Sequence, residues 1–292
     1  WKPKFIFSIL RLKKIWSYGW KLLGSGIINS IYSNMYTLVV GKVYSNEVLG
    51  IYNRAEQFPN LIVSNVDDTV QAISLPVLSQ QQNEEYNFVK RMETILDTNA
   101  LILVPMVSGL AAIAHEFVAV ILTDKWLETV PFMQLICVLY MTYPIHTVNV
   151  QALKASGRGD ILLLTEVLKK VIEIVALLIS VNLGIWFLLV VRVILSMTIM
   201  IIINTIPTYK IYNYGFLKQI KGIWKCYISS LIMILIVSLS RLMLKKINII
   251  VRLVMLIVIG ILVFGASEFF LKDRIFLNNR LLKKHLKIKK FH

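Results

Sequence analysis

The sequence predicts an all-α fold, a polytopic membrane helical bundle with about eight transmembrane helices. Of the 292 residues, 57% are hydrophobic and only 16% are charged, whereas soluble proteins carry about 25% charged residues. Charge-free stretches such as Thr129–Leu153 and Val193–Tyr209 are long enough to cross a bilayer, which takes about 20 residues per helix. The composition therefore excludes soluble α/β and all-β folds.

Eight candidate spans follow one another along the chain. They are predicted at 20–43, 51–79, 98–121, 129–153, 161–183, 185–206, 223–240 and 247–270. Cytoplasmic loops of membrane proteins are rich in Lys and Arg, and with the N-terminus inside, 21 of these residues lie in inner segments against seven in outer ones. Both termini are therefore expected in the cytoplasm. The same rule accounts for the net charge of +16 without nucleic-acid binding.

The spans divide the chain into four predicted parts. Residues 1–19 form a basic cytoplasmic linker or amphipathic segment, 20–206 hold the first six spans, 207–270 hold two trailing transmembrane helices, and 271–292 form a basic cytoplasmic tail. The tail carries eight Lys and Arg residues interleaved with leucines, which is the pattern of a basic helix lying on anionic lipid. Membrane lipids are therefore expected partners.

The second span carries a polar stripe along one face. Its members recur at helical spacing and are Asn53, Gln57, Asn60, Ser64, Asp67 or Asp68, and Gln71. A continuous polar stripe over several helical turns cannot face lipid, because polar groups in hydrocarbon need hydrogen-bond partners or water. The stripe is therefore expected to face either a polar neighbouring helix or a hydrated cavity.

Two carboxylates of this stripe, Asp67 and Asp68, lie at bilayer depth. A charge there costs about 2.5–3.5 kcal/mol on the insertion scale, so such residues normally face the bundle interior or water. Arg54 lies on the same helix but about 20 Å from Asp67 along its axis, which is too far for neutralisation. Arg192 in the sixth span is the predicted partner. The sequence leaves open whether the pair is a structural tie or part of a functional cavity.

Polar residues also share faces of the first and fourth spans. In the first span they are Asn29, Tyr32, Ser33 and Tyr36, with Asn34 beside them, and in the fourth they are Tyr143, Thr147 and Gln151, with His146 beside them. Such residues serve helix packing as well as cavities. A lone intramembrane histidine is expected to be a hydrogen-bonded packing residue rather than a proton relay.

The four charges near the inner end of the fifth span are predicted to neutralise one another. Glu166 with Lys170, and Lys169 with Glu173, have the i,i+4 spacing of helical ion pairs. Self-neutralised pairs need no ligand, so no functional role is expected for them.

Catalytic signatures are missing from the sequence. It contains no GxxxxGK[ST], GxGxxG or GxSxG motif, and His115–Glu116 is followed by Ala119 where a zincin helix needs histidine. The four histidines show no metal-ligand spacing. The chain is therefore predicted to be no enzyme and to hold no cofactor and no metal.

Four segments resemble one known family. They are Gly50–Asn60 (GIYNRAEQFPN), Leu75–Ser79 (LPVLS), Lys125–Cys137 (KWLETVPFMQLIC) and Tyr143–Asp160 (YPIHTVNVQALKASGRGD). They are similar to the polysaccharide and oligosaccharide flippases of the multidrug/oligosaccharidyl-lipid/polysaccharide exporter superfamily, in particular to the colanic and teichuronic acid exporters. The similarity runs from about Trp16 to about Tyr214.

The resemblance implies the second lobe of a two-lobe helical transporter in the bacterial inner membrane. Such a protein moves a lipid-diphosphate-linked oligosaccharide to the outer leaflet by alternating access, for cell-surface polysaccharide or lipopolysaccharide biosynthesis. Arg54, with Lys154 or Arg192, would bind the diphosphate, because charge-assisted hydrogen bonds to phosphate are strong. The residues that would bind sugars are Asn29, Asn34, Asn53, Gln57, Gln71 and Gln151. Asp67 and Asp68 would couple transport to an ion, or balance Arg192.

Three alternatives stay open at this point. The chain could be a drug/cation antiporter of the same superfamily, with the carboxylates as ligands. It could be a multipass glycan polymerase or ligase, although its longest predicted outer loop, around 122–128, is short for that class. It could also be a structural partner in polysaccharide assembly. Dependence of export on a lipid-linked glycan distinguishes a flippase from an antiporter.

Overall fold

The computed structural model describes residues 35–80 and 84–271, together with positions 16, 19, 20, 23, 24, 26, 27 and 30. In this part of the chain the regular structure is helical and no strand occurs. The predicted all-α class is therefore confirmed there. Most of the predicted basic segment 1–19 and nearly all of the predicted tail 271–292 lie outside the described residues.

In the described part of the chain the helices overlap the predicted spans but differ from them in number and in their ends. Helix α1 is described over 35–43, and the others are α2 (Asn46–Ser79), α3 (Glu85–Ile121), α4 (Thr129–Tyr140), α5 (Tyr143–Ala155), α6 (Gly159–Ser180), α7 (Ile185–Leu195), α8 (Ile201–Tyr212), α9 (Phe216–Met243) and α10 (Ile249–Phe270). A π-helical turn at Ser196–Met200 joins α7 and α8 into one long helix. Ser45 caps the N-terminus of α2 by accepting a hydrogen bond from the Val48 amide.

The fourth predicted span, 129–153, is divided in the structure and not continuous. Helix α4 ends at Tyr140, and α5 begins at Tyr143 after a turn at Met141 and Thr142. Pro144 lies in the first turn of α5. Backbone amides in a first turn have no intrahelical acceptor, so the missing N–H of proline costs no hydrogen bond there. Within a continuous helix the same ring would clash with the carbonyl of Tyr140, four residues earlier. The proline therefore explains the break.

Four helical stretches in the described part of the chain are long and apolar enough to cross a membrane. They are Glu85–Ile121, Ile185–Tyr212, Phe216–Met243 and Ile249–Phe270, and they correspond to four of the eight predicted spans. Helices α2 and α6 carry polar and charged residues in their middle turns. Those of α2 up to Asn60 and those of α6 between Glu166 and Glu173 face the cavity described below, and they make the two helices less apolar.

Helix α3 is the central element of the bundle. It packs against α2, α4, α9 and α10, and buries Phe88, Met92, Leu96 and Leu103 completely. Lipid tails are as apolar as leucine, so van der Waals packing and polar ties, rather than burial from water, hold such helices together. The outer faces of α9 and α10 expose leucine, isoleucine and valine side chains, as expected for contact with lipid.

A buried carboxylate fastens the two trailing helices to the centre. Glu116 of α3 is 1% exposed, and its oxygens lie 3.0 Å from Arg241 Nη2 of α9 and 3.3 Å from Arg252 Nε of α10. One acid thus ties three helices at one end of the bundle. Near the other end of α9, the buried side chains of Asn149 and Gln219 exchange two hydrogen bonds of 2.8 and 3.0 Å and link α5 to α9.

Candidate functional site

A polar cavity of about 430 Å³ lies among helices α1, α2, α4, α5, α6, α7 and α8. Its lining combines amides, phenols, carboxylates and cations. The polar residues that line it are Asn53, Gln57, Asn60 and Asn204; Tyr36, Tyr140 and Tyr143; Glu56, Glu166 and Glu173; Lys169, Lys170 and Arg192; and Thr142, His146 and Ser196. Such a concentration of polar groups within an apolar helical bundle marks the candidate site.

The α2 wall of the cavity is the first half of the predicted polar stripe. Asn53, Gln57 and Asn60 are exposed and occupy successive turns of α2. Their side chains share one face because they are spaced by four and three residues. The expectation that this stripe faces a polar environment therefore agrees with the structure for these three positions.

Arg192 is a cation of the cavity lining and contacts three residues of other helices. Its Nη1 donates to the Tyr52 hydroxyl at 2.6 Å, both terminal nitrogens lie 3.2 Å from Glu56 Oε1, and the guanidinium lies 4.5 Å from the centre of the Tyr36 ring. The predicted partner of Arg192 was Asp67, and that prediction is wrong. Glu56 precedes Asp67 by three helical turns, and Arg192 of α7 lies at the level of Glu56.

Asp67 is held by neutral donors instead. The Gln71 side-chain amide donates to it at 2.6 Å, and the Thr147 hydroxyl of α5 also donates to it. One turn further along, Gln151 of α5 donates to Gln71 Oε1 at 2.8 Å. The nearby ammonium of Lys154 supplies the positive electrostatic contact.

These contacts join α2 to α5 beyond the end of the cavity. None of Asp67, Gln71, Gln151 and Lys154 is among the lining residues, and Gln151 is 1% exposed. The predicted shared face of Thr147 and Gln151 does point towards α2. Its polar groups are used to hold the two helices together. Asp68 is exposed on the neighbouring face of α2 and also lies outside the lining.

The α6 wall carries the charges for which no role was predicted. Lys169 Nζ contacts the Glu166 carboxylate, lies 3.0 Å from Asn204 Oδ1 and 3.4 Å from His146 Nδ1. Lys170 pairs with Glu173 at 2.9 Å. Both ion pairs have i,i+3 spacing, so the predicted i,i+4 pairings are wrong. His146 Nδ1 lies 3.4 Å from Asn204 Oδ1, which agrees with the expected hydrogen bond, and His146 also lines the cavity.

The remaining predicted site residues have different positions. Arg54 donates to Gln57 Oε1 at 2.8 Å, and its guanidinium lies 5.3 Å from the centre of the Trp126 ring. It is absent from the lining but adjacent to a lining residue, so it lies at the edge of the cavity. Asn29 and Asn34 lie outside the described residues.

The cavity is balanced in charge. Each of its three cations has a carboxylate partner in the same lining, and the pairs are Arg192–Glu56, Lys169–Glu166 and Lys170–Glu173. The prediction missed the α6 charges although they recur at three- and four-residue steps, the same periodic signal that identified the α2 stripe. Within the described part of the chain, no group of three His, Cys, Asp or Glu side chains is placed to hold a metal.

The fold and the site define the class as a polytopic helical membrane protein with a polar internal cavity. Residues 1–131 match the protein family described as "Polysaccharide biosynthesis protein". Among curated proteins, the teichuronic acid biosynthesis protein TuaB of Bacillus subtilis is 26% identical over 161 residues, which cover 55% of this chain and 33% of TuaB.

Two further relatives have related names. The lipopolysaccharide biosynthesis protein WzxC of Escherichia coli is 24% identical over 69% of this chain and 42% of its own length. The succinoglycan biosynthesis transport protein ExoT of Rhizobium meliloti is 22% identical over 55% of this chain and 32% of its own length. The chain thus spans between about a third and two fifths of these relatives. No solved structure matches it. The predicted resemblance to the polysaccharide exporters is confirmed.

Proposed function

We propose that this chain forms the second lobe of a membrane transporter that moves a lipid-diphosphate-linked oligosaccharide by alternating access. The transported precursor would serve the biosynthesis of cell-surface polysaccharide or lipopolysaccharide. The observation that carries the proposal is the charge-balanced polar cavity, which could shield a hydroxyl-rich head group while its lipid tail stays in the bilayer. The names of the relatives, which include a transport protein, support the same role.

The lining suits sugars by its chemistry. Exposed amides at Asn53, Gln57 and Asn60 offer both donors and acceptors to hydroxyl groups, and the tyrosines offer faces and hydroxyls. The diphosphate is assigned to Arg54 at the edge, with Arg192 inside. Arg192 already shares its charge with Glu56, so an anion would compete with that carboxylate. Ion coupling by Asp67 and Asp68 stays part of the proposal, with Asp68 the more exposed of the two.

In the proposed membrane arrangement the chain crosses the bacterial inner membrane eight times and both termini are cytoplasmic. Helices α2 and α6 then cross with their polar faces towards the cavity. The loop between α9 and α10 would lie outside, although four basic residues lie in or beside it. The pairing of Arg241 and Arg252 with buried Glu116 neutralises part of this charge and so supports the orientation.

The test replaces two cavity amides in cells whose only copy of the protein carries the change. We expect Gln57→Leu combined with Asn60→Leu to abolish surface polysaccharide and to leave the lipid-linked oligosaccharide in the inner leaflet. The matched control is Ser64→Ala, which lies on the same stripe but outside the lining. Normal polysaccharide in the double variant would contradict the proposal.

One observation favours a second function, a drug or cation antiporter. Three carboxylates, Glu56, Glu166 and Glu173, line the cavity and could hold a cationic ligand. This function predicts that the cells become sensitive to cationic drugs when Glu173→Gln is introduced, without any dependence on a lipid-linked glycan. Efflux of a fluorescent cation from cells lacking the glycan lipid distinguishes the two functions.

A further inference from the structure

A second cavity of about 430 Å³ lies between helices α3 and α9, separate from the candidate site. Its lining is rich in charges of both signs. Three cations come from one helix and two acids from the other, and they are Lys218, Lys221 and Lys225 of α9, and Glu93 and Asp97 of α3. We refer to it as the α3–α9 cavity.

The α3–α9 cavity lies at the end of two predicted spans. Asp97 immediately precedes the span 98–121 of α3, and Lys221 precedes the span 223–240 of α9. Both positions belong to inner segments of the predicted arrangement, so the cavity lies at one water–lipid boundary. Trp224 also lines it and is 43% exposed. Tryptophan is enriched at this depth of the membrane, where head groups lie.

The charged groups of the lining come from two neighbouring helices. On the α9 wall, Lys218 donates to the Asn213 carbonyl at 2.7 Å, which uses one of its three N–H bonds, and Lys221 is exposed. On the α3 wall, Glu93 and Asp97 are one helical turn apart. The helices approach closely at Gly222, because a Cβ placed there would lie 3.0 Å from Asp97 Oδ1.

Tyr214 lines the cavity on the side of Glu93 and Asp97. It is almost fully buried, and burial raises the pKa of its hydroxyl, with the Glu93 and Asp97 carboxylates raising it further. Both acids therefore act on the same region of the lining. The cavity takes its basic residues from α9 and its acidic residues from α3.

We propose that the α3–α9 cavity binds the head group of a zwitterionic phospholipid that carries a phosphate and a primary ammonium, as phosphatidylethanolamine does. The phosphate would accept hydrogen bonds from Lys218 and Lys221, since lysine binds phosphate as a point charge. The ammonium would donate to Glu93 and Asp97. Basic pockets between transmembrane helices at the cytoplasmic face commonly bind lipid head groups.

The acids decide between lipid classes. A phosphatidylglycerol head group carries the same phosphate, but its glycerol hydroxyls offer Glu93 and Asp97 only neutral hydrogen bonds, which are weaker than charge-assisted ones. A phosphatidylcholine head group carries the same charges, but its quaternary ammonium has no N–H to donate to a carboxylate. Phosphatidylethanolamine offers a phosphate to the lysines of α9 and a primary ammonium with N–H donors to the acids of α3.

The test is native mass spectrometry of the whole chain, released from micelles that contain equal amounts of phosphatidylethanolamine, phosphatidylglycerol and phosphatidylcholine with identical acyl chains. We expect phosphatidylethanolamine to be retained about three- to fivefold over the other two, the range of a partly exposed ion pair. Glu93→Gln should remove this preference and leave phosphatidylglycerol retention unchanged or higher. Lys221→Gln should lower the retention of all three lipids.

Lys90→Gln is the matched control, because Lys90 is exposed on α3 close to Glu93 but outside the cavity. It should leave the pattern unchanged. Preferred retention of phosphatidylglycerol, insensitive to Glu93→Gln, would show an anionic-lipid site and overturn the proposal. Equal retention by the Lys221→Gln and Lys90→Gln variants would also overturn it. Circular dichroism of each variant verifies that the helices have formed.

Discussion

The ion pair between Arg192 and Glu56 links α7 to α2 across the cavity, and its removal should measurably destabilise the bundle. The two side chains are 18% and 24% exposed. Removing one partner of a buried pair costs about 3–5 kcal/mol, whereas exposed pairs contribute about 0.2–1 kcal/mol. Because this pair is mostly buried but borders the cavity, we expect Arg192→Met to lower the free energy of unfolding by about 2–3 kcal/mol.

A double-mutant cycle isolates the pair itself. Glu56→Gln leaves Arg192 with the Tyr52 hydroxyl and the Tyr36 ring, so it should cost less, about 1–2 kcal/mol. The double variant should then cost less than the sum of the single variants by about 1–2 kcal/mol, because contacting residues are energetically coupled.

The assay is unfolding of the chain in mixed micelles by increasing sodium dodecyl sulfate, followed by circular dichroism. A second cycle, between Arg192→Met and Asp67→Asn, is the control, because Asp67 bonds to Gln71 and Thr147 and not to Arg192. That cycle should be additive to within about 0.5 kcal/mol. Additivity in the Glu56 cycle, or strong coupling in the Asp67 cycle, would refute the reasoning.

Three further variants test the polar ties between helices in the same unfolding assay. Glu116→Gln should cost about 3–5 kcal/mol, since it leaves two arginines without their shared acid, and more than Glu173→Gln, whose pair is less buried. Asn149→Leu should lower the free energy of unfolding by about 1–3 kcal/mol, because it removes the Gln219 amide's two hydrogen bonds to Asn149. Adding Gln219→Leu should restore part of that free energy. Thr147→Val should cost about 1.5–3 kcal/mol by removing its hydrogen bond to the Asp67 carboxylate.

The helices and the cavity wall on α2 could be predicted because their signals are local. Apolar length fixes where a span lies, and three- to four-residue spacing puts Asn53, Gln57 and Asn60 on one face whatever surrounds the helix. The break before Pro144 was also visible in principle. Proline disfavours a continuous helix, but the unbroken apolar run 129–153 by itself predicts a single span.

The pairing of charges between helices could not be predicted in the same way. Glu56 and Asp67 both lie on α2, about 16 Å apart along its axis, and the level at which α7 crosses α2 decides which of them meets Arg192. On α6 the sequence allows both i,i+3 and i,i+4 partners for each lysine. The structure selects the i,i+3 partners, and Lys169 also reaches His146 and Asn204 on other helices.

The central claim is that the cavity beside α2 holds water within the membrane, and cysteine reactivity tests it most directly. Cys137 and Cys226 are the two cysteines of the chain and both are buried, and each is replaced by alanine before a single cysteine is introduced. Thiols react as thiolates, which form in water and not in lipid. In membrane vesicles we expect Gln57→Cys to react with a water-soluble maleimide about tenfold faster than Val254→Cys, which is exposed on the lipid-facing side of α10. Equal, slow labelling at both positions would show a dry helix seam and contradict the account.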